Sequence, residues 1–428
     1  MIKLKKVAIY TLGCKVNQYE SNAIQNEFEQ NGYKTVDFSE YADVYIINTC
    51  TVTGISDKKS RQILRRAKQI NPNAIVCAIG CYVQVAKEDV EKIEDVDIIL
   101  GTIEKKDIFK KIEEFINNKQ RIVESGNIMH LMPYSEYNGI AYTSHIRAEV
   151  KVQDGCDRFC TYCMIPYARG PVRSRKMENV INEIEKLRDS GTKEIVITGI
   201  HISSYGKDFK DGTELIDLLE KINDIEGIER IRLGSLEPRI ITEEFVSRLI
   251  KLNKICNHFH LSLQSGCNET LKRMNRKYTT EEFKAIVKLL RDNILEVALT
   301  TDVIIGFPGE TEEEFEKTYA FLKEIKFSKM HVFKYSKRKG TPAAAMPNQV
   351  DEQVKDERSK KLIEMSNKNE KEFANQYLGR EIEVLFENSK EGHTTNYIKV
   401  ELNKANDSFT NKIVKVKLGS DCFAVTLN

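Results

Sequence analysis

Long apolar runs are missing from this 428-residue chain. No stretch approaches the ~18 consecutive apolar residues of a membrane-spanning helix, so no membrane partner is expected. Proline (8 residues) and glycine (22) are too few for a collagen-like or proline-rich chain. An excess of one charge is also lacking: 66 basic residues meet 64 acidic ones, for a net +2. That balance neither requires nor excludes nucleic acid and leaves the question to local patches. The opening MIKLKKVAIYTLGCKVNQ has no apolar block with a small-residue cleavage site, so a cytoplasmic location is the expectation. Ten cysteines in this length are not a disulfide-scaffold density. What remains is 41% hydrophobic and 30% charged, enough for a core and incompatible with a disordered tail or a fibre. At about 150 residues per domain, the length suggests two to four domains.

The hydrophobic pattern divides the chain. Residues 1–115 alternate short apolar runs (Lys6 to Leu12, Val44 to Asn48, Ala74 to Gly80, Asp97 to Leu100) with amphipathic stretches at Tyr19 to Asn31 and Asp57 to Gln69. That alternation predicts a Rossmann-like parallel sheet covered by helices. Cys14, Cys50 and Cys81 each follow one of the first three runs. Ligands in open α/β sheets bind beyond the carboxyl ends of strands, so these three cysteines are expected to converge. Residues 116–145 lack periodicity and read as a connector.

From 146 to 370 the strand-then-helix pattern repeats, with strand candidates at Ala148 to Gln153, Glu194 to Gly199, Arg230 to Gly234, His258 to Leu263, Ala298 to Ile305 and Lys329 to Phe333. Six such units predict a partial (βα)6 barrel, whose active site forms from the loops after the strands. Thr311 with Glu314, and Thr279 with Glu282, read as capping boxes. Residues 371–428 carry short strand candidates and no long helix, which predicts a small all-β barrel of a kind that often binds nucleic acid. Its seven basic and seven acidic residues from Phe373 onward do not decide that point.

The strongest local signal is G-C-D-R-F-C-T-Y-C at Gly155 to Cys163, with Cys156, Cys160 and Cys163 spaced Cys-x3-Cys-x2-Cys. Thiolates hold zinc or iron–sulfur clusters. Tetrahedral zinc wants a fourth ligand, and no His or Cys follows within thirty residues. Three thiolates on a four-iron cube leave one iron free to chelate a small molecule. Cys77, four residues before Cys81, reads as a buried core thiol, with ligand exchange with Cys81 as the alternative, and Cys256, Cys267 and Cys422 match no motif position. His201 and His260 sit near strand ends, where a cavity role and a structural role are both open.

Cys156, Cys160 and Cys163 resemble the cluster motif of the radical S-adenosylmethionine enzymes. The resemblance narrows at T-L-G-C-K-V-N-Q-Y-E (Thr11 to Glu20), I-N-T-C-T-V-T (Ile47 to Thr53) and A-I-G-C-Y (Ala78 to Tyr82). These segments are similar to the three amino-terminal cysteine segments of the methylthiotransferases. The runs K-V-Q-D-G-C-D-R-F-C-T-Y-C-M-I-P-Y-A-R-G-P-V-R-S-R, L-G-S-L-E-P, L-S-L-Q-S-G and T-D-V-I-I-G-F-P-G-E agree with the same family. The tail resembles a TRAM domain.

The resemblance implies two [4Fe-4S] clusters, one on Cys156, Cys160 and Cys163 and one on Cys14, Cys50 and Cys81. It implies S-adenosyl-L-methionine on the open iron of the first, with Tyr162 near the adenine. Glu237, Gln264, Ser265 and Asp302, near strand ends, are candidates for cofactor or substrate contact. Helix capping or salt bridging is their alternative role. One S-adenosylmethionine would donate a methyl group and a second a hydrogen-abstracting radical, while a reducing electron donor and a sulfur source complete the partners.

Arg169, Arg173, Arg175 and Lys176, and the second run Lys334, Lys337, Arg338 and Lys339, read as phosphate-positioning patches or as ordinary solvated surface. The family's substrates are the tRNA anticodon loop carrying threonylcarbamoyladenosine or isopentenyladenosine at position 37, or a ribosomal-protein aspartate. G-C-K-V-N-Q-Y-E and G-I-H-I-S-S-Y-G resemble the threonylcarbamoyladenosine branch. A non-catalytic iron–sulfur RNA-binding protein or redox sensor is the alternative class.

Overall fold

The computed structural model describes residues 5–130, 132–137, 146–419 and 423–426. Cys422 and part of the 116–145 segment lie outside them. Near the amino terminus, β1 (Lys6–Thr11), β2 (Lys34–Thr35), β3 (Val44–Thr49), β4 (Ile75–Gly80), β5 (Ile98–Leu100) and β6 (Ile122–Glu124) form one sheet in the order β2-β1-β3-β4-β5-β6. Every pairing in it is parallel. The run VYIINT of β3 is buried throughout, as expected of a strand covered by helices on both faces. β6 comes from the segment read as a connector; at three residues it is too short to display a period. Helix α1 (Lys15–Gln30) starts directly after Cys14, and α2 (Gly54–Ile70) starts where the Thr53 side chain accepts from the Ser56 N–H.

In the central region, β7 (Arg147–Asp154) carries the short antiparallel β8 (Arg173–Ser174) on its edge. β7 then continues in parallel to β9 (Glu194–Gly199) and β10 (Arg230–Leu233). β11 (His258–His260), β12 (Ala298–Ile305) and β13 (Lys329–Lys334) extend the arc. The bridges Ile231–Ile255 and Leu236–Leu261 join the two halves. Among the described residues β7 and β13 do not pair, so the six parallel strands form an open partial barrel. Leu299, Val303 and Ile305 enter the core shared with the outer helices, whereas the alternate residues Thr300, Asp302 and Ile304 take the inner face. The Thr279–Glu282 box is reciprocal. At Thr311 only half the box forms, because the Glu314 carboxylate turns to Arg273.

A helix at Glu352–Asn375 leads into the carboxyl-terminal region and extends past residue 371, where no long helix was expected. β14 (Glu381–Phe386), β15 (Glu391–His393), β16 (Lys399–Leu402), β17 (Ile413–Leu418) and β18 (Phe423–Thr426) curl into a closed barrel. Its pairings are antiparallel except β16 with β18. The small barrel docks at the amino ends of the central strands. Arg230 donates to the His393 carbonyl at 2.9 Å, Arg232 to the Thr395 carbonyl at 2.9 Å, and Arg147 pairs with Glu387 at 2.9 Å. The Tyr397 ring stacks between His258 (4.8 Å) and His393 (4.7 Å).

Candidate active site

The cysteines group at the opposite, carboxyl ends of the strands. Cys14, Cys50 and Cys81 follow β1, β3 and β4, which are adjacent in the sheet. Gly13 makes the approach possible. Its φ is +101°, and a Cβ there would stand 2.8 Å from Cys50 Sγ. Burial pushes the Cys50 thiol up to about 11, and the neighbouring Cys81 and Cys14 push the same way. Cys156, Cys160 and Cys163 lie in the loop between β7 and the helix Ile165–Arg169. That loop is turned by Gly155, whose φ is +74° and whose added Cβ would meet the Pro171 carbonyl oxygen at 1.9 Å. Burial raises Cys156 to about 11 and Cys163 to about 12, with Cys160 adding to both. Cys77 is fully buried on β4, a core thiol with its pKa raised by burial.

With their pKa values raised, Cys50, Cys156 and Cys163 are poorly placed as free thiolates; a bound cationic centre would favour their deprotonated form. Among the described residues no three His, Cys, Asp or Glu side chains are placed to hold a single metal ion. Two all-thiol trios, each without a fourth protein ligand, fit iron–sulfur cubes by their donor chemistry.

The two trios are tied together by a buried ionic knot. Arg169, fully buried, donates from Nε to Cys81 Sγ at 3.1 Å and from Nη1 to Glu20 at 2.6 Å, and it also meets Asn17 and Asp154. Glu20 is 1% exposed and pairs with Lys151 at 2.7 Å and with Lys105. Burial alone would raise the Glu20 carboxyl; Arg169, Lys105 and Lys151 outweigh it and hold the group well below the usual carboxylate range. Asp154, two residues before Cys156, is depressed the same way by Lys151, Arg169 and Arg173. Sequence reasoning missed this knot. Its signal was Asn17 and Glu20, three apart on one face of α1.

The first basic run is therefore not a phosphate-facing patch. Arg169, Arg173 and Arg175 are buried among Glu20, Asp154, Glu183 and Glu136, and only Lys176 is exposed. An arginine cluster reads as surface by default, and only the packed carboxylates reveal it as interior. The second run splits. Lys334 pairs with Asp356, and Arg338 turns inward to Asp57 (2.6 Å) and Thr51 (2.7 Å), while Lys337 and Lys339 stay exposed.

The other expected positions fall at the same mouth, with one exception. Tyr162 packs edge-on against Phe307 at 6.5 Å, and burial raises its hydroxyl well above the ordinary value. Glu237, beyond β10, pairs with Arg158 of the cysteine loop at 3.0 Å. Gln264, at φ +73°, receives the backbone of β12 through its own N–H and carbonyl. Asp302, on the inner face of β12, meets His260 at 3.2 Å. Ser265 turns away: its hydroxyl contacts Thr318 of an outer helix at 3.3 Å. Arg276, which no motif flagged, reaches Cys160 Sγ at 3.4 Å. His201 hydrogen-bonds Ser204 at 2.8 Å; burial and then the cations Arg158, Arg276 and Lys207 lower its pKa to about 3.

The Radical SAM superfamily matches residues 150–322, and the uncharacterized protein family UPF0004 matches residues 6–101. The chain is 47% identical to the threonylcarbamoyladenosine tRNA methylthiotransferase MtaB of Bacillus subtilis, over 96% of this chain and 93% of that protein. The chain belongs to the radical S-adenosylmethionine methylthiotransferases. The MtaB protein of Aquifex aeolicus is 42% identical over 92% of this chain and 96% of its own length. The tRNA-2-methylthio-N(6)-dimethylallyladenosine synthase of a Thermoanaerobacter species is 39% identical over 89% and 81%. The radical S-adenosylmethionine methyltransferase TsrM from Kitasatospora setae shares the fold alone, at TM-score 0.59 and 14% identity over 79% of this chain and 74% of that one. As a radical S-adenosylmethionine methylthiotransferase, the enzyme uses S-adenosylmethionine and iron–sulfur chemistry.

Proposed function

We propose that this methylthiotransferase inserts a methylthio group at C2 of N6-threonylcarbamoyladenosine at position 37 of tRNA. The observation that carries the reading is the 47% identity to a threonylcarbamoyladenosine enzyme across nearly the whole of both chains. Cys156, Cys160 and Cys163 hold one [4Fe-4S] cluster, and Cys14, Cys50 and Cys81 hold a second. When bound, these clusters supply the electron that cleaves S-adenosylmethionine to the 5'-deoxyadenosyl radical and the iron that carries the incoming sulfur. The chain's own contribution is position. Arg169 fixes Cys81 of one trio against Asp154, which leads into the other. Tyr162 and Phe307 offer an aromatic wall for the adenine, while Glu237, Gln264 and Asp302 line the barrel mouth for the polar parts of cofactor or substrate. Ser265 supports the adjoining helix. The amino-terminal sheet is Rossmann-like, and the carboxyl-terminal barrel is a TRAM-type RNA-binding module.

The test is mass spectrometry of the product nucleoside from anaerobically reconstituted enzyme. Cys156→Ala, Cys160→Ala or Cys163→Ala abolishes 5'-deoxyadenosine formation. Cys14→Ala, Cys50→Ala or Cys81→Ala permits some cleavage and yields no methylthio product. Normal product from Cys50→Ala enzyme refutes the two-trio assignment. The 39% identity to a dimethylallyladenosine enzyme keeps isopentenyladenosine as the second reading. Methylthiolation of isopentenyladenosine tRNA, with threonylcarbamoyladenosine tRNA left unchanged, would establish it instead.

A further inference from the structure

The segment after β13 alternates direction in one short stretch. Arg338 is drawn inward, clamped to Asp57 and Thr51 of the amino-terminal domain, immediately beside Cys50. Its neighbours Lys337 and Lys339 point the other way, exposed, and no carboxylate among the described residues lies within ion-pair distance of either. Both lysines line an open groove of about 730 Å³ together with Tyr167, Thr341 and Pro342. Tyr167 sits four residues beyond Cys163, is 37% exposed, and meets the ring of Phe159 edge-on at 5.9 Å. Phe159 lies between Cys156 and Cys160, is 38% exposed, and has φ +46°, a left-handed conformation unfavourable for a bulky residue. Its carbonyl is held there by the Asn275 amide at 3.0 Å. Strain of this kind persists where the surroundings over-determine it, commonly at ligand-contacting loops.

Two unpaired cations beside two outward aromatic rings, at the rim of both cysteine trios, match a single-stranded polynucleotide: phosphates for the lysines, base faces for the rings. We propose that Phe159, Tyr167, Lys337 and Lys339 form the landing surface for the RNA loop that presents the target nucleotide. The assignment rests on the tRNA reading given under Proposed function. The architecture agrees with it. The carboxyl-terminal barrel is docked at the amino ends of the strands, the far end from the cysteines, so this rim is free to contact the loop beside the reacting nucleotide.

The test is salt-dependent binding of an anticodon stem-loop RNA to reconstituted holoenzyme, read by fluorescence anisotropy. In a Lys337→Ala, Lys339→Ala double variant, the slope of log affinity against log salt falls by about 1.4, at about 0.7 per single-strand phosphate contact. Lys337→Arg with Lys339→Arg keeps the slope. Tyr167→Ala weakens binding roughly tenfold at constant salt slope, whereas Tyr167→Phe, which keeps the ring face, binds as the parent does. Iron content and visible absorbance equal to the parent verify that each variant is folded and loaded. An unchanged affinity and slope in the lysine double variant overturns the surface while the tRNA reading stands. A parent holoenzyme that fails to bind the stem-loop overturns both.

Discussion

At the scale of single residues, the site is governed by where charge is buried. Arg169 shares Glu20 and Asp154 with Lys105, Lys151 and Arg173 in a space closed to water, so its removal leaves two buried carboxylates short of counter-charge. Breaking an isolated buried ion pair from one side costs about 3–5 kcal/mol, and the cations that remain on these carboxylates put the cost here at the lower end. Arg169→Met should therefore lower the urea midpoint by a corresponding amount, whereas Lys176→Met, at an exposed position, should leave it within error. His201 gives a pH signature. Its folded pKa of about 3 lies below the ordinary histidine value, so between roughly pH 6.5 and 3 the unfolded chain binds a proton that the folded one refuses. Stability then falls on acidification through that window, by about 1–2 kcal/mol from this group between pH 6.5 and 5. Urea midpoints at pH 7.5 and 5 should converge partly in a His201→Asn variant.

At the scale of elements, strand ends and their turns carry the chemistry. β1, β3 and β4 deliver three cysteines side by side because parallel strands all finish at one edge of the sheet. The turn after β1 is tight enough that only glycine fits at position 13. Gly13→Ala should reduce iron in the anaerobically reconstituted enzyme by about half, through loss of the geometry of Cys14, Cys50 and Cys81, while 5'-deoxyadenosine formation continues. An unchanged iron content would show that the turn can relax. The strands and capping residues were legible in the sequence because period-2 and period-3.6 patterns are local properties. β2 and β8, two residues each, and β6 and β15, three each, were not, since so short a run carries no period; β5, equally short, was read because its Ile-Ile-Leu is wholly apolar.

At the scale of the whole molecule, cation pairs and one aromatic ring join three regions into one body. Arg338 fastens the amino-terminal sheet to the partial barrel. Tyr397 anchors the small barrel, with the Arg147 guanidinium at 5.2 Å and that of Arg232 at 4.6 Å from its ring. Burial would raise the Tyr397 hydroxyl, yet Arg147, Lys15 and Arg232 lower it on balance. Tyr397→Ala removes the cation–π contacts, each worth about 0.5–2 kcal/mol. Limited proteolysis should then cut the chain between the Glu352–Asn375 helix and β14 faster than in the parent, leaving the remainder resistant.

The chain's letters alone revealed its longer strands and helices and the two cysteine trios. Ligand spacing and hydrophobic period are written along the chain and need no folding to be read. Which cations are interior and which face outward emerges only from the folded packing. Arg169 and Lys337 look alike in a string of letters; one is enclosed by carboxylates brought from residues 20 and 154, the other is left open beside Tyr167. That difference lies in contacts between distant segments, and the desolvation that gives each charge its role exists only once those segments have closed around it.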